Sequence, residues 1–174
     1  MQGLAPVLLL SVPQLEDPDF HQSVILLCEH DSGGAFGLVL NRPTETLASS
    51  VVRFRPPIQA VNGLELWIGG PVDPSRGWIL LPYEPTDGES VCVGNGLFLS
   101  TSEDILRRLL EDPTEVKARL LTGHAGWDAG QLDAELAASA WLTVDVDADF
   151  IFRTHPSDMW EETLRRIGVQ PSLL

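Results

Sequence analysis

The sequence predicts an α+β domain built on a mixed β-sheet with helices packed over it. Three observations lead there. Short, continuously apolar runs fill the first hundred residues, three amphipathic segments with capping residues follow, and the order is strands first, then strands and helices mixed. A regular βαβ alternation would predict a doubly wound sheet and strands alone a sandwich; this order fits neither. With 174 residues, the chain is long enough to close one core, since a domain of roughly 150 residues buries close to 70% of its unfolded surface. Residues 1–174 are therefore read as a single domain.

Strands are expected at the apolar runs 7–12, 23–28, 35–40, 64–68, 78–81, 90–93 and 97–99, each bounded by Gly, Pro, Asn or Asp. Most do not alternate with polar residues, which points to strands covered on both faces. A helix follows Ser100-Thr101-Ser102-Glu103, where Ser100 and Glu103 have capping-box spacing and Ile105, Leu106, Leu109 and Leu110 share a face. A second is expected over 130–138, with Leu132 and Leu136 four apart. The third begins at a Ser157 cap, buries Trp160, Leu164 and Ile167, and stops at Gly168. Residues 44–54 form a weaker helical pattern. Further strands are expected at 116–121, 141–146 and 150–152.

Composition excludes several classes. The chain has 44% hydrophobic and 21% charged residues, as globular proteins do, and a formal charge of −14 from 25 acids against 11 bases. Direct nucleic-acid binding is disfavoured, because such affinity comes from Lys and Arg neutralising phosphates. No membrane association is expected either: the run 4–12 is broken by Pro6, has no preceding basic residue, and fits neither a signal peptide nor a spanning helix. The expected location is cytoplasmic. Cys28 and Cys92 both lie in apolar runs, where a free Cys behaves as a small buried hydrophobe.

The most distinctive stretch runs from Cys28 to Pro43. Its glycines lead into the β-rich Leu38-Val39-Leu40 and not into a helix, and no phosphate-binding lysine accompanies them, so a β-hairpin turning at 31–34 explains them better than a nucleotide loop. Glu29, His30 and Asp31 place three titratable groups at a strand end, where successive side chains point to opposite faces. His30 with a neighbouring carboxylate has the makings of a base and its orienter, or of a strand-end cluster bonded to the turn. Arg42 is placed to grip a carboxylate or a ligand anion. Gly69-Gly70 permits close backbone approach. The segment 123–132 reads as a glycine-rich loop running from strand to helix, able to turn N–H groups to an anion, with His124 and Gln131 adding polar reach. The candidate binding cleft comprises Glu29, His30, Asn41, Arg42, Trp127 and Gln131. GxSxG, HExxH, CxxC, EF-hand and GxxxxGK[ST] motifs are absent from the sequence, and the four histidines lack ligand spacing, so no metal or cofactor is expected.

Taken together these blocks resemble the YqgE/AlgH-like family of small bacterial proteins. The resemblance rests on Leu10-Ser11-Val12-Pro13, Asp17-Pro18-Asp19-Phe20, Glu29-His30, the run 34–43, Gly69-Gly70-Pro71-Val72, the run 126–132 with Glu135-Leu136, Trp141-Leu142 and Trp160. It implies a bifurcated sheet curled into a pseudo-barrel and flanked by helices. Members of the family are labelled uncharacterised or, loosely, transcriptional regulators. With no basic patch here, the regulator label does not imply DNA contact. A non-catalytic binding or regulatory protein with a protein or small-molecule partner is the leading expectation. The alternative is an enzyme acting on a small polar or anionic substrate.

Overall fold

A computed structural model describes residues 3–15, 17–86, 89–114 and 117–169. Ten strands and four helices follow in the order β1 (Val7–Ser11), β2 (Val24–Asp31), β3 (Gly34–Val39), β4 (Pro43–Leu47), β5 (Glu65–Ile68), β6 (Val72–Leu81), β7 (Val91–Cys92), β8 (Phe98–Ser100), α1 (Glu103–Glu111), β9 (Arg119–Asp128), α2 (Gln131–Ala137), β10 (Trp141–Val144), α3 (Ala148–Arg153) and α4 (Pro156–Arg166). The sheet runs β10-β1-β2-β3-β9-β6-β8-β7, with β5 on β9 and β4 on β5, and curls into a half-barrel. Every pairing is antiparallel except β5 with β9. The class is α+β with a mixed sheet.

The continuously apolar strands are covered on both faces. Leu8, Leu10, Leu26, Leu38 and Leu40 enter a core closed by Phe150, Ile151, Trp160 and Leu164 of α3 and α4. Their neighbours Leu9, Ile25, Leu27 and Val39 enter a second core, under Leu132 and beside Trp127 and Trp141. A third gathers Ile105, Leu106, Leu109 and Leu110 of α1 with Phe54, Leu64, Ile79, Leu81 and Leu120.

β9 organises the whole. One of its edges pairs with β6 from Arg119 to His124; the opposite edge pairs with β5 over Leu120 to Thr122 and then with β3 over Ala125 to Asp128. The chain leaving β5 must therefore step across β9 to begin β6, and Gly69-Gly70-Pro71 is that step. A methyl group on Gly123 would meet the Gly70 carbonyl oxygen at 2.2 Å, and one on Gly70 would meet the His124 carbonyl carbon at the same distance. Gly123 also has φ +74, in the left-handed region that favours glycine. Hydrogen bonds from the Gly69 N–H to the Thr122 carbonyl (2.7 Å) and from the Val39 N–H to the Gly69 carbonyl (2.8 Å) seal the crossing.

Below it, Arg119 is 5% exposed and has no carboxylate partner among the described residues. Its guanidinium donates to the carbonyls of Leu40 and Ile151, 2.7 Å each, and lies between the rings of Trp67 and Phe152. Burial pushes its pKa down to about 10.

Several sequence expectations are corrected. Residues 150–152 are helical, within α3, because Asp147 caps that helix by accepting from the Phe150 N–H (3.2 Å); the aromatic and branched residues imitate a strand. Residues 44–54 hold β4 and a short 3-10 turn (Ala48–Ser50), with no α-helix. The strand expected from 116 begins at Arg119, and Val116 lies outside the described residues. β9 then continues through the glycines to Asp128, so the expected loop is mostly strand. α1 is capped by Ser102, whose hydroxyl accepts from the Ile105 N–H, while Ser100 Oγ bonds the Glu89 carbonyl. α4 is capped by His155 ahead of Pro156, displacing Ser157, and Ile167 is 38% exposed. Both cysteines are free; Cys92 is exposed at an edge strand, contrary to its apolar setting. Among the described residues no helix is long and apolar enough to cross a membrane.

The crossing makes a stability prediction. Gly130 also has positive φ, yet a methyl group there meets nothing within 4 Å. In urea titrations Gly130→Ala should cost about 1 kcal/mol, for left-handed strain alone. Gly123→Ala should cost at least about 3 kcal/mol, since a backbone must also move. Equal midpoint shifts would show that the crossing is not tight.

Candidate functional site

The residues from Cys28 to Pro43 form the expected hairpin. Asp31 pairs with Gly34 across a two-residue turn, and Asp31 Oδ1 accepts from the Gly33 N–H at 2.7 Å. One irregularity matters more than the turn: the register slips between Leu27 and Glu29. The bulge makes Cys28 and Glu29 both face one cavity, while His30 turns to the other side of the sheet.

His30 is buried. Its Nδ1 accepts from the Leu4 N–H (3.1 Å), which leaves the proton on Nε2, and Nε2 lies 3.1 Å from Asp133 Oδ1 on α2 without the alignment of a hydrogen bond. Asn41 ties β2 to the preceding turn, accepting from the Val24 N–H (3.1 Å) and donating to the Gln22 carbonyl (3.0 Å). Arg42 donates to the carbonyls of Pro18 (3.4 Å) and His21 (3.0 Å), and among the described residues it has no carboxylate partner. Trp127 Nε1 donates to Glu135 Oε2 (2.9 Å), and its ring stacks on Phe20 of that same turn. Gln131 Oε1 accepts from the Asp128 N–H (3.0 Å). Asn41, Arg42 and Trp127 thus converge on the 17–23 turn. His30 sits against α2, which Gln131 begins, and of the six residues only Glu29 reaches the cavity.

That cavity, about 870 Å³ in volume, lies between the β2–β3 hairpin, β6 and the β7–β8 edge. Its wall is an aromatic group: Phe36 lies 4.8 Å from Trp78 and 4.9 Å from His124, ring centre to ring centre. Phe36 pairs directly with Glu29 across the hairpin, and His124 comes from β9 beside the crossing. A second bulge, in β6, brings the remaining wall. Only His124 and Thr122 oppose Val72 and Gly77, so residues 73–76 are thrown outward, with Asp73 at φ +51. This re-aims Arg76 so that its guanidinium stands 4.5 Å over the Trp78 ring.

Electrostatically the cavity is acidic and its nucleophile is inactive. Among the described residues Glu29, Glu84 and Glu89 line it, and Arg76 is the one Lys or Arg to do so. Burial, reinforced by the Glu29 charge, pushes the Cys28 thiol up to about 12, so it stays protonated and inert. His124 is held below the ordinary histidine range chiefly by burial, with Arg76 acting in the same direction and Asp73 against it. Trp78 Nε1 and His124 Nδ1 are shielded from solvent and have no hydrogen-bond partner among the described residues. No three His, Cys, Asp or Glu side chains gather as a metal site among those residues.

Sequence reasoning missed Phe36, Arg76, Trp78, Glu84 and Glu89, and noted His124 without placing it in the cleft. A signal existed for Phe36. Once the turn is put at 32–33, pairing Glu29 with Phe36 follows by counting. Nothing local announces the β6 bulge except Pro74, which cannot donate to a regular ladder.

Comparison with known proteins gives a consistent result. The AlgH-like family, DUF179, matches residues 8–172. A UPF0301 protein of Myxococcus xanthus is 40% identical over 177 residues, spanning 100% of this chain and 96% of its own. One from Pseudomonas fluorescens is 40% identical over 170 residues, covering 95% and 89%. The solution structure of the AlgH protein from Pseudomonas aeruginosa superposes with a TM-score of 0.80 at 35% identity, covering 99% of this chain and 93% of that one. A crystal structure from Corynebacterium diphtheriae, at 22% identity and a TM-score of 0.73 over 95% and 87% of the two chains, shares the fold.

The histidine's environment can be measured. An NMR titration should place His124 below the ordinary value of about 6.5. Arg76→Ala should raise it and Asp73→Asn lower it further. Because the unfolded chain takes up this proton before the folded one, His124 should make folding less stable as pH falls past that value. A midpoint at or above it would contradict the burial described.

Proposed function

The chain belongs to the AlgH-like family, and from that premise we propose that it is a non-catalytic binding protein of the cytoplasm, regulatory through a small molecule held in the β2–β3–β6 cavity. One observation carries the proposal. The cavity is large enough for a small metabolite, yet the groups that would have to react there are disabled: the Cys28 thiol stays protonated, and among the described residues His124 bonds no nucleophile. The enzyme reading needed Glu29, His30, Asn41, Arg42 and Gln131 in one cleft. Four of them make backbone and helix contacts elsewhere, which favours the binding reading. The charge of −14 supports action without direct DNA contact. Free cysteines suit a reducing compartment.

The test is a thermal-shift screen against a broad metabolite and metal panel, with mass spectrometry of each hit after prolonged incubation. A true ligand at a hundred times its Kd adds about 2.7 kcal/mol of stability, and it should be recovered unchanged. Chemical conversion of the hit would replace binding with catalysis, and a panel without any hit would remove the reading.

A further inference from the structure

The cavity's own chemistry narrows its occupant. Resting on the reading of this cavity as a binding site, we propose that the ligand is a compact organic cation, an amine or quaternary ammonium group. Its charge lies against the faces of Trp78 and Phe36, with Glu29, Glu84 and Glu89 as counter-charges.

The aromatic wall already holds a cation. Arg76 stands over Trp78 at 4.5 Å, and among the described residues no carboxylate lies within ion-pair distance of it, so the ring face is what it contacts. A positive group near the face of Trp or Tyr is attracted by the ring quadrupole, and the attraction grows as water is excluded. Arg76 is exposed on an outward bulge, so it can swing away and leave the ring to a ligand.

Charge balance points the same way. Glu29, Glu84 and Glu89 form no described ion pair, so the cavity carries three carboxylates against one guanidinium. His124 adds no positive charge at neutral pH, since burial keeps it unprotonated. The field of a protein with net charge −14 concentrates cations and repels anions before any contact forms. An anionic ligand would have Arg76 alone to meet it.

Isothermal titration calorimetry of the full chain tests this with choline, its uncharged carbon analogue dimethylbutanol, and acetate as an anion of comparable size. Choline should bind at least about tenfold more tightly than dimethylbutanol, because only the charge differs. Trp78→Leu should weaken choline by about tenfold, and Glu29→Gln, at an exposed position, should weaken it severalfold without disturbing the fold. The sign at Arg76 is the sharpest readout: Arg76→Ala should tighten choline by removing a competitor for the ring, whereas for an anion it would weaken binding. Dimethylbutanol binding as well as choline, or acetate binding in its place with loss in Arg76→Ala, would overturn the cation and keep the cavity as a site. If none of the three binds and the metabolite screen is also silent, the binding function falls with it.

Discussion

Two backbones cross at Gly123 with no side chain between them, and most of the architecture follows from that contact. A strand has two edges, and β9 uses both over the same residues, with β5 on one side and β6 on the other. Since β5 and β6 are joined by only Gly69, Gly70 and Pro71, the connection has to pass directly over the strand it flanks. Side chains forbid such a passage; three glycines permit it. The sheet forks there, because the edge vacated by β5 is taken by β3, and the fork gives the half-barrel its curl. Each wing can then be covered by its own helices, which is why the apolar residues sort into separate cores.

The cavity is a product of irregularities in this regular frame. An unbroken β2 would send Cys28 and Glu29 to opposite faces; the slip after Leu27 presents both. An unbroken β6 would keep Arg76 in line with the ladder, whereas the four-residue excursion places it over an indole ring. His124 is set one residue beyond the crossing glycine, so the fork also positions the aromatic wall. Bulges of this kind bend strands and re-aim side chains, and they concentrate beside binding sites for that reason.

How much of this was legible in sequence depended on whether a feature was local. The hairpin turn, the apolar strands and the helix faces of α1 and α4 could be read from spacing because period and turn chemistry act over a few residues. The family was legible too, in its scattered blocks. The segment 123–130 was not: its glycines imply a loop to any local rule, but they serve a strand that must admit another backbone, a contact made with residues about fifty positions earlier in the chain. Residues 150–152 misled similarly, since Phe-Ile-Phe satisfies strand preference while the Asp147 cap sets a helix. The expected cleft failed for a further reason. Asn41, Arg42 and Gln131 are polar groups in turns, and polar groups in turns serve backbone amides and carbonyls as readily as ligands. The cavity wall draws on β2, β3, β6, β9 and the β7–β8 edge, a convergence with no local trace.

Arg119 links these parts in another way. Its guanidinium is bonded to the carbonyl of Leu40, just past β3, and to that of Ile151 in α3, while Trp67 of β5 and Phe152 cover its faces. A fluctuation that lifts α3 alone would carry the Ile151 carbonyl away from the guanidinium and leave one arm of a buried charge without its acceptor, a costly state. The helix therefore has no small opening available to it. Amide exchange in α3 is tied to the fork of the sheet, and the two ends of the chain's topology protect each other as one cooperative unit.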